Sequence, residues 1–257
     1  MSSRLPTLFL SHGSPMHALQ PGAVREVWEG IARSLPRPKA ILISSAHWET
    51  DVPALTGTPK PETIHDFYGF PKPLYEIQYR APGSPEVASK AFHLLEKANF
   101  KSTVDPARGL DHGAWSPLLH MYPKADVPVV QIAVQTALGP RHHVDLGRAL
   151  APLARDGVLI IGSGHMTHNL RDRGNNGPAT YASEFQSWVK ERIDARDIDS
   201  LVNYRELNRH GVRAHPTDEH FLPLFYALGA AGENYKAERL HDGIEMGALA
   251  MDAYRFN

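Results

Sequence analysis

No cysteine occurs among the 257 residues. Disulfides and thiolate metal ligands are therefore excluded, and any bound metal must be held by nitrogen and oxygen, which suits Fe(II), Zn, Mn or Ni. Charge of one sign is also lacking. Net charge is -1 with histidine neutral and no basic cluster stands out, so there is no electrostatic footprint for nucleic acid or for an anionic membrane surface. No apolar stretch approaches the roughly 20 residues needed to span a bilayer, and no apolar segment follows a basic start at the N-terminus. The expectation is a cytoplasmic protein whose partners are small molecules rather than nucleic acid or membrane. Internal repeats, low-complexity tracts and a convincing linker are missing too, and 257 residues suffice for one large core. A single catalytic domain over residues 1–257 is expected; oligomeric state is not legible.

Histidine, by contrast, is abundant: fifteen for this length. Three aliphatic runs end on one amid small residues. They are Leu8–Leu10 followed by Ser11-His12-Gly13-Ser14-Pro15, Ala40–Ala46 followed by His47-Trp48-Glu49, and Val158–Ile161 followed by Gly162-Ser163-Gly164-His165. The carboxyl end of a buried strand is where open α/β sheets place ligands. One such histidine alone is usually a turn residue with a satisfied hydrogen bond. Three at matching strand ends point to one crevice, and neutral imidazole is the commonest metal ligand. A fourth candidate, His220, ends the run His215-Pro216-Thr217-Asp218-Glu219-His220. Pro216 and Thr217 predict a helix start with Thr217 as N-cap, so that Asp218, Glu219 and His220 fall in the first turn. Acidic residues there would also simply complement the helix dipole.

Strands are expected at Thr7–Leu10, Ala40–Ala46, Leu74–Tyr79, Val127–Val134 and Val158–Gly162. All but the third are nearly continuous in aliphatic residues, as in strands covered on both faces. Helical spacing marks Ala23–Leu35, Pro140–Ala154 and Tyr181–Asp194, and Ser84-Pro85-Glu86 opens a helix to about Ala98 with a serine cap and proline at N1. The alternation predicts an α/β fold: a central, largely parallel or mixed sheet flanked by helices. Gly57–Pro73, with four prolines and three aromatics, reads as a functional loop or lid. Arg171–Pro178 reads as an exposed loop. Among the other histidines, His112 precedes a helix and has the context of a substrate-loop residue, and His168 follows His165 at a helical spacing. His17, His93, His120, His142, His143, His210 and His241 have no context that favours chemistry.

Six motifs occur in order: Leu10-Ser11-His12-Gly13-Ser14-Pro15, Ile43-Ser44-Ser45-Ala46-His47-Trp48-Glu49, His65-Asp66-Phe67-Tyr68-Gly69-Phe70-Pro71, Gly109-Leu110-Asp111-His112-Gly113-Ala114-Trp115, Gly162-Ser163-Gly164-His165-Met166-Thr167-His168-Asn169-Leu170, and His215 through Pro223. In these the chain resembles the class III extradiol ring-cleavage dioxygenases, in particular the 4,5-DOPA dioxygenase-like subgroup, from about residue 6 to residue 256. The resemblance implies the fold of the catalytic subunit of protocatechuate 4,5-dioxygenase and extradiol cleavage of a para-substituted catechol by dioxygen. It implies metal ligation by His12, His47 and His220. It implies an acid/base role for His165, which would also serve as a fourth ligand to zinc, and a place for His112 beside bound dioxygen or substrate. His65, Phe67 and Tyr68 would wall a planar ring. Better-known members of the wider family bind iron through two histidines and a carboxylate. Here a histidine takes the carboxylate's place, which leaves Zn2+ and Fe2+ as the two candidate ions. A zinc-dependent hydrolase and a non-catalytic metal-binding module are the alternatives, and His165 in its cleared turn argues against the module.

Overall fold

The aliphatic runs lie side by side as a layer buried on both faces. In the computed structural model, which describes residues 4–174 and 177–257, ten strands form. They are β1 (Thr7–Ser11), β2 (Ala40–Glu49), β3 (Ala54–Thr56), β4 (Thr103–Asp105), β5 (Val129–Val134), β6 (Val158–Gly164), β7 (Ala237–His241), β8 (Ile244–Glu245), β9 (Leu249–Ala250) and β10 (Ala253–Phe256). Eight make one sheet in the order β4-β3-β5-β2-β6-β1-β10-β7, and β8 and β9 form a separate hairpin. The centre, β5-β2-β6-β1, is parallel, while β10 and β7 join antiparallel at one side and β3 meets β5 antiparallel at the other. The sheet is thus mixed around a parallel core.

Period-two alternation sorts the core side chains. Ile41, Ile43, Leu159 and Ile161 pack on one face with Trp28 and Trp115. Leu42, Val130 and Ile160 pack on the other with Leu146, Leu150 and Tyr226. The covering helices include Val24–Ser34 and His112–Met121 on the first face, and Gly139–Leu150 and Leu222–Ala231 on the second. Ser84 caps Pro85–Lys97 as expected, its hydroxyl accepting from Val87 N at 3.3 Å. The helix Thr180–Ala195 also matches its expected span, and the expected helix from Pro140 ends at Leu150, where a 3-10 stretch Ala151–Asp156 replaces it. No described helix is long and apolar enough to cross a membrane.

Two local expectations fail. Leu74–Tyr79 is not a strand; Lys72–Tyr75 is a helical turn. Pro71 and Pro73 fix φ near helical values where that turn begins, so the buried Leu74 is a local anchor for the loop. Thr217 does not cap a helix. Residues 216–221 are turns, and the helix begins only at Leu222, with Phe221 N and Leu222 N both donating to Asp218 O. The Thr217 hydroxyl is instead turned to the Glu219 carboxylate at 3.0 Å. Of the expected exposed loop Arg171–Pro178, Leu170–Asp172 is a 3-10 turn and Asn175 and Asn176 lie outside the described residues.

Candidate metal centre

Register brings the strand-end histidines together. Ser11 pairs with Gly164 across β1 and β6, and Ser45 pairs with Ser163 across β2 and β6. His12 and His165 are therefore the next residues on adjacent strands, and His47 lies two beyond Ser45. His12 N extends the ladder to Gly164 O at 3.0 Å, while His165 N donates to His220 O at 2.7 Å and ties the 216–221 turns to the end of β6. Gly164 is required here: a Cβ would stand 2.1 Å from His220 O. Gly113 serves the same end from the other face, where a Cβ would meet Ser45 Oγ at 2.3 Å and crowd the His47 and His12 rings.

The result is a cluster of Nε2 atoms. His12 Nε2 and His47 Nε2 are 3.0 Å apart, and His220 Nε2 and His47 Nε2 are 3.3 Å apart. Each ring is held from behind through Nδ1. Ser163 gives its hydroxyl proton to Gly113 O, so it accepts from His12 Nδ1–H at 3.1 Å. His220 Nδ1 donates to Glu219 Oε1 at 2.9 Å, and His47 Nδ1 faces Asp66 Oδ2 at 3.4 Å. Such partners set the tautomer, leaving each Nε2 with a bare lone pair. Burial, reinforced by the neighbouring imidazoles, pushes His12 and His220 well below the usual histidine range; burial does the same to His47, with His112 the next contributor. Protons therefore do not relieve the repulsion between these lone pairs, and a cation would. The donor set fits a metal ion with nitrogen ligands.

His165 and His112 flank the trio. The His165 ring centroid lies 4.9 Å from that of His12. Its Nε2 accepts from Gly13 N–H at 3.1 Å, and Nδ1 is buried without a partner among the described residues. With Nε2 so engaged, His165 stands outside the group of convergent nitrogens. Burial, then the nearby His168, keeps it neutral. His112 is the first residue of its helix, which Asp111 caps by accepting from Ala114 N at 3.3 Å. Its Nδ1 donates to Asp66 Oδ2 at 2.8 Å and its backbone N–H to Asp66 Oδ1 at 2.8 Å. Burial acts to raise the Asp66 carboxyl, but the His112 bonds outweigh it and bring it down to about 2, so Asp66 is an anion. The rear of His47 is built by Asp111, buried and raised by burial, which accepts from Ser45 Oγ at 2.6 Å and from Gln131 and Arg108.

Sequence reasoning gave Asp66, Ser163 and Glu219 no part in ring positioning. Asp66 lies beside the residues assigned to the ring wall, yet nothing local ties it to His112, 46 positions away. His168 stacks on His220 with ring centroids 3.5 Å apart. His215 takes no part: it is buried against Phe221, its Nε2 donating to Met166 O at 2.9 Å. A cavity of about 510 Å³ opens over the cluster, within the size range of small-molecule sites, and Phe67, Phe70 and Leu249 contribute apolar wall. Tyr68 stands at its edge, 92% exposed. His65 does not border it; the ring sits behind Phe67, donating to Ile77 O at 3.0 Å.

Comparison with known proteins finds relatives along nearly the whole chain. The family model described as the catalytic LigB subunit of aromatic ring-opening dioxygenase matches residues 6–256. A Beta vulgaris protein named 4,5-DOPA dioxygenase extradiol is 46% identical, covering 97% of this chain and 96% of its own. The Escherichia coli K12 protein of the same name is 41% identical over 97% of this chain and 94% of its own. The crystal structure of an uncharacterized E. coli K12 protein superposes with a TM-score of 0.85 at 35% identity, over 99% of this chain and all of that one.

Proposed function

Because the chain belongs to the family of the catalytic LigB subunit of aromatic ring-opening dioxygenases, it is an extradiol dioxygenase acting on a catechol and O2 at a non-haem metal, and we propose that His12, His47 and His220 hold that metal as Fe2+. The observation that carries the ligand assignment is the convergence of three lone-pair Nε2 atoms, each fixed through Nδ1. When bound, iron(II) supplies the one-electron chemistry that lets dioxygen react with a catecholate; zinc, which the all-nitrogen set also suits, is redox-silent. The substrate we propose is a catechol with a small para side chain, such as DOPA, caffeate or protocatechuate. The whole chain acts as one catalytic unit, since the site draws residues from 12 to 220.

The surrounding residues supply the proton chemistry. His165, neutral and free of any carboxylate partner, takes a phenolic proton from the catechol at Nε2 as the Gly13 N–H bond to that nitrogen is released, and returns it as the ring opens. Asp66 fixes the His112 proton on Nδ1, which leaves Nε2 as an acceptor for a catechol hydroxyl. Phe67 and Phe70 exclude water from one side of the ring. The test is anaerobic loading with Fe(II) followed by oxygen uptake and absorbance with a catechol panel. A yellow semialdehyde with stoichiometric oxygen consumption is expected, and the zinc form should be silent. No oxygen uptake across the panel, together with ester hydrolysis by the zinc form, would favour a hydrolase.

A further inference from the structure

Apart from the histidines, two charged side chains border the cavity among the described residues: Asp66 and Arg173. Asp66 is committed to His112 and His47. Arg173 has no ion pair among the described residues, although a carboxylate stands next to it in sequence. That neighbour, Asp172, is taken by Arg213 Nε at 2.8 Å and by Asn169 Nδ2 at 3.2 Å. Arg173 is nevertheless held in place. Its Nε donates to Leu170 O at 3.0 Å, which orients the guanidinium plane and leaves both terminal NH2 groups available. On its far side Gly174 N donates to Met246 O at 2.9 Å, fastening the segment to the β8–β9 hairpin. Leu170, Arg173 and Met246 border both the cavity and a shallower outer depression, so the guanidinium sits at the mouth. It is exposed there.

A fixed guanidinium with two free NH2 groups at a cavity mouth matches the planar, two-oxygen geometry of a carboxylate. We propose that Arg173 is a specificity-determining residue that receives the side-chain carboxylate of the substrate, so that the preferred ligand is a catechol with a para substituent ending in a carboxylate. The catechol half of this assignment rests on the ring-cleavage reading; the carboxylate half rests on Arg173.

The test is equilibrium binding to the zinc-loaded protein, with no turnover involved. The probes are 3-(4-hydroxyphenyl)propionate and its neutral counterpart 4-ethylphenol. The wild type should bind the carboxylate about tenfold or more tightly, the worth of one charge-assisted hydrogen bond. In Arg173→Gln that ratio should fall to near one, and Arg173→Lys should restore part of it. Equal affinity of the wild type for the two probes would overturn the proposal, as would a loss in Arg173→Gln that is the same for both, since that marks a structural role. Oxygen uptake by the Fe(II) form is read separately. If it is absent while the carboxylate preference and its loss in Arg173→Gln persist, the ring-cleavage reading fails and the anion subsite stands.

Discussion

At the scale of single residues, the proposed roles separate groups that hold a metal from groups that handle protons, and substitution should pull the two apart. His12→Ala removes one of three convergent nitrogens, so both bound metal and activity should disappear; metal content per chain after desalting checks this. His165→Ala should retain the metal yet lose ring cleavage by about 100-fold or more, the scale of a general acid/base. A variant that cleaves catechols at the wild-type rate would remove His165 from the proton path. Asp66→Asn leaves a donor or a weaker acceptor behind two rings and should cost about 10- to 100-fold in activity or metal affinity. His12, His47 and His165 could be read from sequence because each ends an aliphatic run next to small residues, whereas His220 was singled out by an expected helix start and by the resemblance. Their Nδ1 partners could not. Ser163 reaches His12 across 151 positions, and Glu219 looked like a dipole-complementing residue in a helix that does not begin there.

At the scale of elements, close approach decides which glycines matter. Gly164→Ala puts a Cβ 2.1 Å from His220 O, so the 216–221 turns must move away from β6. The expected cost is about 1–3 kcal/mol or more, with loss of bound metal, read from the urea midpoint and metal content. Gly30→Ala is the contrast: its nearest neighbour is 4.0 Å away on the helix Val24–Ser34, and about 0.5–1 kcal/mol of added stability is expected. The central strands were legible because unbroken aliphatic runs mean burial on both faces. The outer strands on either side of that core were not. β3 and β4 have three residues each, and Ala54-Leu55-Thr56 has no room for a period. β7 and β10 are stitched antiparallel onto the parallel core by contacts at the far end of the chain, which local pattern does not encode. Leu74–Tyr79 misled because a buried leucine beside prolines looks the same in a loop anchor as in a strand.

For the molecule as a whole, buried neutral histidines set the response to acid. Burial lowers His143 and His215 to about 3. His143 shows why: Nδ1 donates to Gly139 O at 2.7 Å and Nε2 accepts from Gln135 N at 3.1 Å, so a second proton would break the latter bond. In the unfolded chain both titrate near 6.5. Below that pH the unfolded chain binds protons the folded one refuses, so stability is full above about 6.5 and falls as pH drops toward 3. The slope is up to about 1.4 kcal/mol per pH unit for each histidine. Urea midpoints between pH 7 and pH 4 should show this decline, and His143→Gln should flatten it. The ligands span the molecule differently. His12 follows the first strand and His47 lies near the end of the second, whereas His220 arrives on turns that precede the last covering helix. During synthesis, which runs at about 5–20 residues per second, the emerging chain therefore offers only two of the three nitrogens for most of its passage. Capture of the ion by all three proposed ligands is thus a late event, so metal starvation should yield folded, loadable protein rather than stalled, aggregated chains.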